Sequence, residues 1–129
     1  MVKLVDGPIY PANVYNSICS AFSGSVVFHY AIVKKQAGSG KSTTSIEYRA
    51  TGDTLQELEE IAAELERSCK LEDILLIRRV GCLDVGDIIS LVAASAPNSE
   101  DAFTACKSGI SRLKKMSSIT KTEKFADII

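Results

Sequence analysis

At 129 residues, 46% hydrophobic and 24% charged, the chain has the composition of one soluble globular domain, able to bury roughly two-thirds of its unfolded surface. A net charge of −1 argues against a general grip on nucleic acid, and no run of about 18 apolar residues is present to span a membrane. The charge is uneven: residues 53–73 are acidic-rich, whereas Lys107–Lys124 holds six Lys/Arg against one Glu, a basic end suited to a small anionic ligand or an acidic partner.

Asp6, Gly7 and two prolines occupy the stretch where a signal peptide needs an apolar core, so export is not expected. Cys19, Cys69, Cys82 and Cys106 lie far apart, without a C-x-x-C pair, and the single histidine is His29. That pattern offers no zinc site and is expected to leave buried, reduced thiols in a cytoplasmic protein.

In chain order, Val2–Val5 predicts a short strand ended by Asp6-Gly7-Pro8. Pro11 opens a helix along which Val14, Ile18 and Phe22 recur at helical spacing, with Gly24 placed to stop it. Ser25–Val33 reads as a strand. Lys34–Ser42 reads as a flexible Gly-rich tip and Thr43–Ala50 as a second strand, the two strands forming a hairpin. Thr54-Leu55-Gln56-Glu57 has the form of a capping box, behind which Leu55, Leu58, Ile61, Ala62 and Leu65 line one helix face. Ile74–Val80 and Asp87–Ser95 predict strands joined by a turn over Gly81–Gly86. Pro97-Asn98-Ser99 breaks the chain and caps a helix carrying Phe103, Cys106, Ile110 and Leu113 as its apolar stripe. After Met116 helical preference is lost, so Ser117–Thr120 favours a loop over further helical turns. The expected order is β-α-β-β-α-β-β-α: an α+β fold, one domain over residues 1–129.

Gly38-Ser39-Gly40-Lys41-Ser42-Thr43 superficially resembles the end of a phosphate-binding loop. The full pattern needs a glycine where Lys35 stands and a helix after the Lys-Ser, whereas a β-branched segment follows. No nucleotide site is expected.

Four segments carry a more specific resemblance. Gly24-Ser-Val-Val-Phe-His-Tyr-Ala-Ile-Val-Lys34 aligns without gaps to G-A-x-x-x-F-x-G-x-V-R, and Ser45-Ile-Glu-Tyr-Arg-Ala50 to A-L-E-Y-E-A. Arg79-Val-Gly-Cys-Leu-Asp-Val-Gly-Asp87 matches R-V-G-x-L-x-V-G-E. Ala96-Pro-Asn-Ser-Glu-Asp-Ala-Phe-Thr-Ala-Cys106, followed by Arg112-Leu-Lys114 and Lys121, matches S-P-H-R-x-x-A-F-x-A-C, then R-L-K and a later lysine. In order and interval these resemble the large, catalytic subunit family of molybdopterin synthase (MoaE), over nearly the whole chain.

That resemblance implies a hammerhead-like α+β fold with a small β subdomain and a sulfurtransferase activity that forms molybdopterin from cyclic pyranopterin monophosphate. The implied sulfur donor is a thiocarboxylate on the C-terminal Gly-Gly of a ubiquitin-like small subunit. A homodimer at the centre of a heterotetramer is implied too, without metal or organic cofactor. The family's two essential lysines fall on Lys114 and Lys121, where ammonium groups would stabilise anionic intermediates, donate protons or act as nucleophiles. Substrate contacts fall on Lys34, Asn98 and Ser99 as well as on both lysines.

The chain departs from the family pattern at several of these places. Lys34 stands for an arginine and keeps the charge without the bidentate fork; Asn98-Ser99 stands for a His-Arg pair and loses the cation. His29 and Ala31 replace Phe and Gly, a packing substitution at His29, and Ser117–Thr120 replaces a segment containing Pro and Trp. The sequence ends at Ile129, short of the C-terminal segment usual in the family. A second reading therefore stands beside the enzyme: a dimeric scaffold that binds a ubiquitin-like partner without efficient turnover.

Overall fold

The structure is a computed structural model that describes residues 1–18 and 22–128. Its first sheet has strand order β1-β5-β7-β2, comprising β1 (Val2–Val5), β5 (Asp73–Arg79), β7 (Ile88–Ala96) and β2 (Ser25–Ile32). β1 and β5 run parallel and the other pairs antiparallel. β5 and β7 are central and apolar on both faces, as strands covered on both sides must be.

One face of this sheet packs against α2 (Thr54–Ser68) and α3 (Ser99–Lys114) in a core around Leu58, Ile61, Leu65, Leu76, Val92, Ala105 and Leu113. The other face is covered by a 3-10 turn (Pro11–Asn13) and the single-turn helix α1 (Tyr15–Ile18), which bring Ile9, Val14 and Ile18 onto Leu75, Ile77 and Leu91. The expected continuous helix from Pro11 is thus two short turns in its described part, and Cys19–Ala21 lie outside the described residues. Gly24 has a reason other than stopping a helix. A Cβ there would sit 2.0 Å from the Pro97 carbonyl oxygen, so only glycine lets the chain cross the end of β7.

The second sheet is built on β4 (Lys41–Ala50), which pairs with β3 (Ala37–Gly38), β6 (Gly81–Asp84) and β8 (Ile119–Asp127). This corrects two expectations. The strand at Ser25 does not form a hairpin with the one at Thr43: β2 gives its hydrogen bonds to β7, because Val26, Val27 and Phe28 fill both faces of the first sheet. The hairpin that does form is shorter, β3 to β4 around Ser39 and Gly40, whose φ values of 53° and 76° fit the tight turn that follows strand twist. A strand follows Lys41-Ser42, not the helix a phosphate loop needs. The other correction lies at Gly81–Gly86, where the expected turn is mostly strand β6, opposite Ser45–Tyr48.

Two further readings change. The cap of α2 is Asp53, whose carboxylate accepts from the Gln56 amide; Thr54 is the first helical residue and buries its hydroxyl toward Gly52 and Ser118. Leu55 and Phe103 lie outside the buried stripes of their helices. Asn98 caps α3 as expected, accepting from the Asp101 amide. Cys69 and Cys106 are buried free thiols whose pKa burial raises, but Cys82 is exposed. Among the described residues, no helix is long and apolar enough to cross a membrane.

Candidate active site

The basic end of α3 opens onto a cavity of about 580 Å³ at the seam between the two sheets. Each wall follows from local pairing. On the first sheet, Ala31, Ser90 and Arg78 stand in one row across β2, β7 and β5, on the face that α2 and α3 cover further along. On the second sheet, Tyr48 of β4 is directly opposite Lys121 of β8, which aims both side chains to one side. α3 supplies Leu113 and Lys114 as its last two residues, after a stripe of Ala102, Ala105, Cys106 and Gly109 has sunk the helix onto β2 and β7.

Lys114 and Lys121 therefore line one cavity, although a turn and the start of a strand separate them in sequence. Lys121 arrives on a strand, not on the loop expected after Met116. The turn between α3 and β8 is pinned by Glu57 of α2. Its carboxylate accepts from the backbone N–H groups of Ser117 and Ser118 at 2.9 and 3.0 Å, and from both their hydroxyls. Burial works against the Glu57 carboxylate, but these donors outweigh it and hold its pKa below the ordinary value.

The same cavity takes in residues that sequence reasoning passed over. Arg78 is 7% exposed, with its guanidinium carbon 4.3 Å from the centre of the Tyr48 ring and its Nε without a hydrogen-bond partner. Burial lowers its pKa and Tyr48 opposes that. The signal was legible: Arg78-Arg79 ends a strand that is apolar on both faces, so the two guanidinium groups must point to opposite sides. Arg79 reaches Asp87; among the described residues Arg78 makes no ion pair. His29 is also in the wall, its Nδ1 buried and unpartnered, and burial followed by the nearby Lys114 charge lowers its pKa.

Lys34, Asn98 and Ser99 do not line this cavity. Lys34 is exposed just beyond β2. Asn98 and Ser99 sit at the opposite end of α3 from Lys114, about 22 Å away along a helix rising 1.5 Å per residue. Asn98 is engaged there by Asp101, as acceptor from its amide and donor to its carboxylate. Among the described residues, no group of three His, Cys, Asp or Glu is placed to hold a metal ion.

The model of the MoaE protein family matches residues 4–116. The molybdopterin synthase catalytic subunit of Bacillus subtilis is 28% identical over 126 residues, 97% of this chain and 80% of that one. The catalytic subunit of a Nostoc species is 34% identical over 107 residues, 81% of this chain and 64% of the relative. In three dimensions the crystal structure of molybdopterin synthase from Staphylococcus aureus superposes with a TM-score of 0.88 at 27% identity, over 96% of this chain and 90% of that one. The α+β architecture read from the strand and helix pattern is thus that of a known structure, and a family match over residues 4–116 runs from the first strand through the described helices to the cavity lysine at 114, stopping short of β8: the chain belongs to the MoaE protein family.

Proposed function

We propose that this chain is a molybdopterin synthase catalytic subunit. In this reading it transfers sulfur from the C-terminal thiocarboxylate of a ubiquitin-like small subunit to cyclic pyranopterin monophosphate, in the cytoplasm, as one domain over residues 1–129. The observation that carries the proposal is the convergence of Lys114 and Lys121 on one cavity whose described lining contains no carboxylate. Sulfur delivery passes through anionic species at the donor carbonyl and at the pterin. Two ammonium groups brought to one cleft are positioned in advance to stabilise that charge where it develops. Either amine can also return a proton to the leaving carboxyl or pterin oxygen.

Asn98 and Ser99, at the far end of α3, can meet substrate held at Lys114 only if a second copy of the chain supplies them. We therefore place them, with Lys34, at the rim of a site completed by homodimerisation. The test is reconstitution with thiocarboxylated small subunit and precursor, scored for the dithiolene product. Lys114→Ala and Lys121→Ala should each cut transfer at least about a hundredfold with the fold intact. Full activity in Lys114→Ala would remove the proposed site. The rival reading, a scaffold for the ubiquitin-like partner, draws on Asn98-Ser99, which leaves the rim without a cation there. It prevails if the unmutated protein binds the carrier but makes no product.

A further inference from the structure

A buried guanidinium without an acid beside it is an unusual object. Removing an arginine from water is costly unless paired charge and hydrogen bonds replace the solvent. Arg78 has Tyr48 beside it as ring and hydrogen-bond partner, yet among the described residues it makes no ion pair and its Nε is buried with no acceptor; Arg79, whose Nε is likewise without an acceptor, has Asp87 to balance its charge. The cavity it faces adds Lys114 and Lys121 and no carboxylate. An unbalanced charge and the open volume beside it ask for one anionic partner at the end of the guanidinium that faces the cavity.

We propose that Arg78 anchors an oxyanion of the bound substrate in this cavity, its planar fork held by Tyr48 and without a carboxylate partner among the described residues, so that it can receive two oxygens. The inference rests on the functional reading only in taking this cavity as the substrate site. Two groups carry the required chemistry: the phosphate of the pterin precursor, and the terminal carboxylate of a carrier tail. A guanidinium stacked on an aromatic face presents its N–H groups in one plane and matches either group bidentately, which an ammonium cannot do. Tyr48 also connects the anchor to the lysines, since it is the residue opposite Lys121 across β4 and β8.

The test titrates the full chain separately with inorganic phosphate and with a short peptide ending in Gly-Gly-carboxylate. The C2–H signal of His29, in the same wall, is followed by NMR. Arg78→Met, equally long and uncharged, should fold, be at least as heat-stable as the parent because an unpaired buried charge is gone, and bind one or both probes at least about tenfold more weakly. Loss confined to phosphate assigns the anchor to the pterin phosphate; loss confined to the peptide assigns it to the carrier tail. Arg67→Ala, an exposed cation on α2, should leave both affinities unchanged. Should Arg78→Met fail to fold, Arg78→Lys decides, with the charge kept and the fork lost, and weaker binding expected. Parental affinity for both probes in a folded Arg78 variant overturns the proposal, as does the parent's failure to bind either. Sulfur transfer is scored apart. Inactive parent protein with Arg78-dependent binding would sink the functional reading alone; active protein with Arg78-independent binding would sink the anchor alone.

Discussion

His29 is the only histidine of the chain, so a single imidazole signal reports on the cavity without assignment ambiguity. Burial and then Lys114 both disfavour its protonated form. Lys114→Ala should therefore raise the His29 pKa toward, but not up to, the ordinary 6.5, because the burial remains. Lys3→Ala, on the exposed side of β1, should leave it unchanged. An NMR pH titration distinguishes these outcomes, and an unmoved His29 in Lys114→Ala would place the amine elsewhere. The stability consequence follows from the lowered native pKa. The unfolded chain takes up the proton first as pH falls, so this residue's contribution is full above about 6.5 and shrinks below it. His29 is packed into the cavity wall, where its orphaned Nδ1 makes it a polar member.

Among the elements, the turn between α3 and β8 is the one whose position decides whether Lys121 reaches the cavity. Glu57→Gln removes the charge and one acceptor from the four-donor clamp and should cost roughly 1–2 kcal/mol. The sign with pH is fixed by the lowered native pKa of Glu57. Its stabilisation is complete above the unfolded carboxylate value and disappears as pH falls through the native one. Thermal unfolding of parent and variant should differ at pH 6 and converge well below pH 4. A constant gap would show that the clamp does not act through the ionised group. This clamp also explains the misread cap. Thr-x-x-Glu is present, but Glu57 is drawn to Ser117 and Ser118, some sixty positions on, and Asp53 takes over the local role. Local chemistry predicted that a helix starts here; only the tertiary partner determined which residue starts it. β8 was illegible for a similar reason. Ile119, Thr122 and Phe125 are scattered among lysines and are mostly exposed, so no apolar alternation marks a strand that owes its existence to the edge of β4. Of the site, Lys114 and Lys121 were reachable through motif register and Arg78 through its place at the end of a buried strand, whereas its meeting with Tyr48 across two sheets leaves no spacing to detect.

At the scale of the whole molecule, apolar surface remains uncovered. Tyr15 stacks on Phe28 with ring centres 6.0 Å apart, and beside them a groove floored by Pro11 and Tyr30 stays open, next to the edge strand β2. Tyr10, Phe22 and Ile32 are also more than half exposed. A homodimer is the expected resting unit, since an edge strand flanked by exposed aromatics is otherwise a liability. Sedimentation velocity at micromolar concentration should show one dimeric species, and a monomer alone would overturn this.

The pairing of β4 with β8 also sets an order of events during synthesis. β4 is made early, but it waits for residues 119–127 to cover one edge along almost its whole length. Until those residues emerge, the first sheet and its helices can form, while Lys121 is missing from the cavity wall and a ten-residue strand edge lies open. A nascent chain is thus at its most aggregation-prone just before it becomes competent, and a chain cut short after Ser118 would stay in that state. Pairing of residues 119–127 with β4 and completion of the cavity wall are thus a single step, so a partner that recognises the completed cavity binds only after β8 has docked.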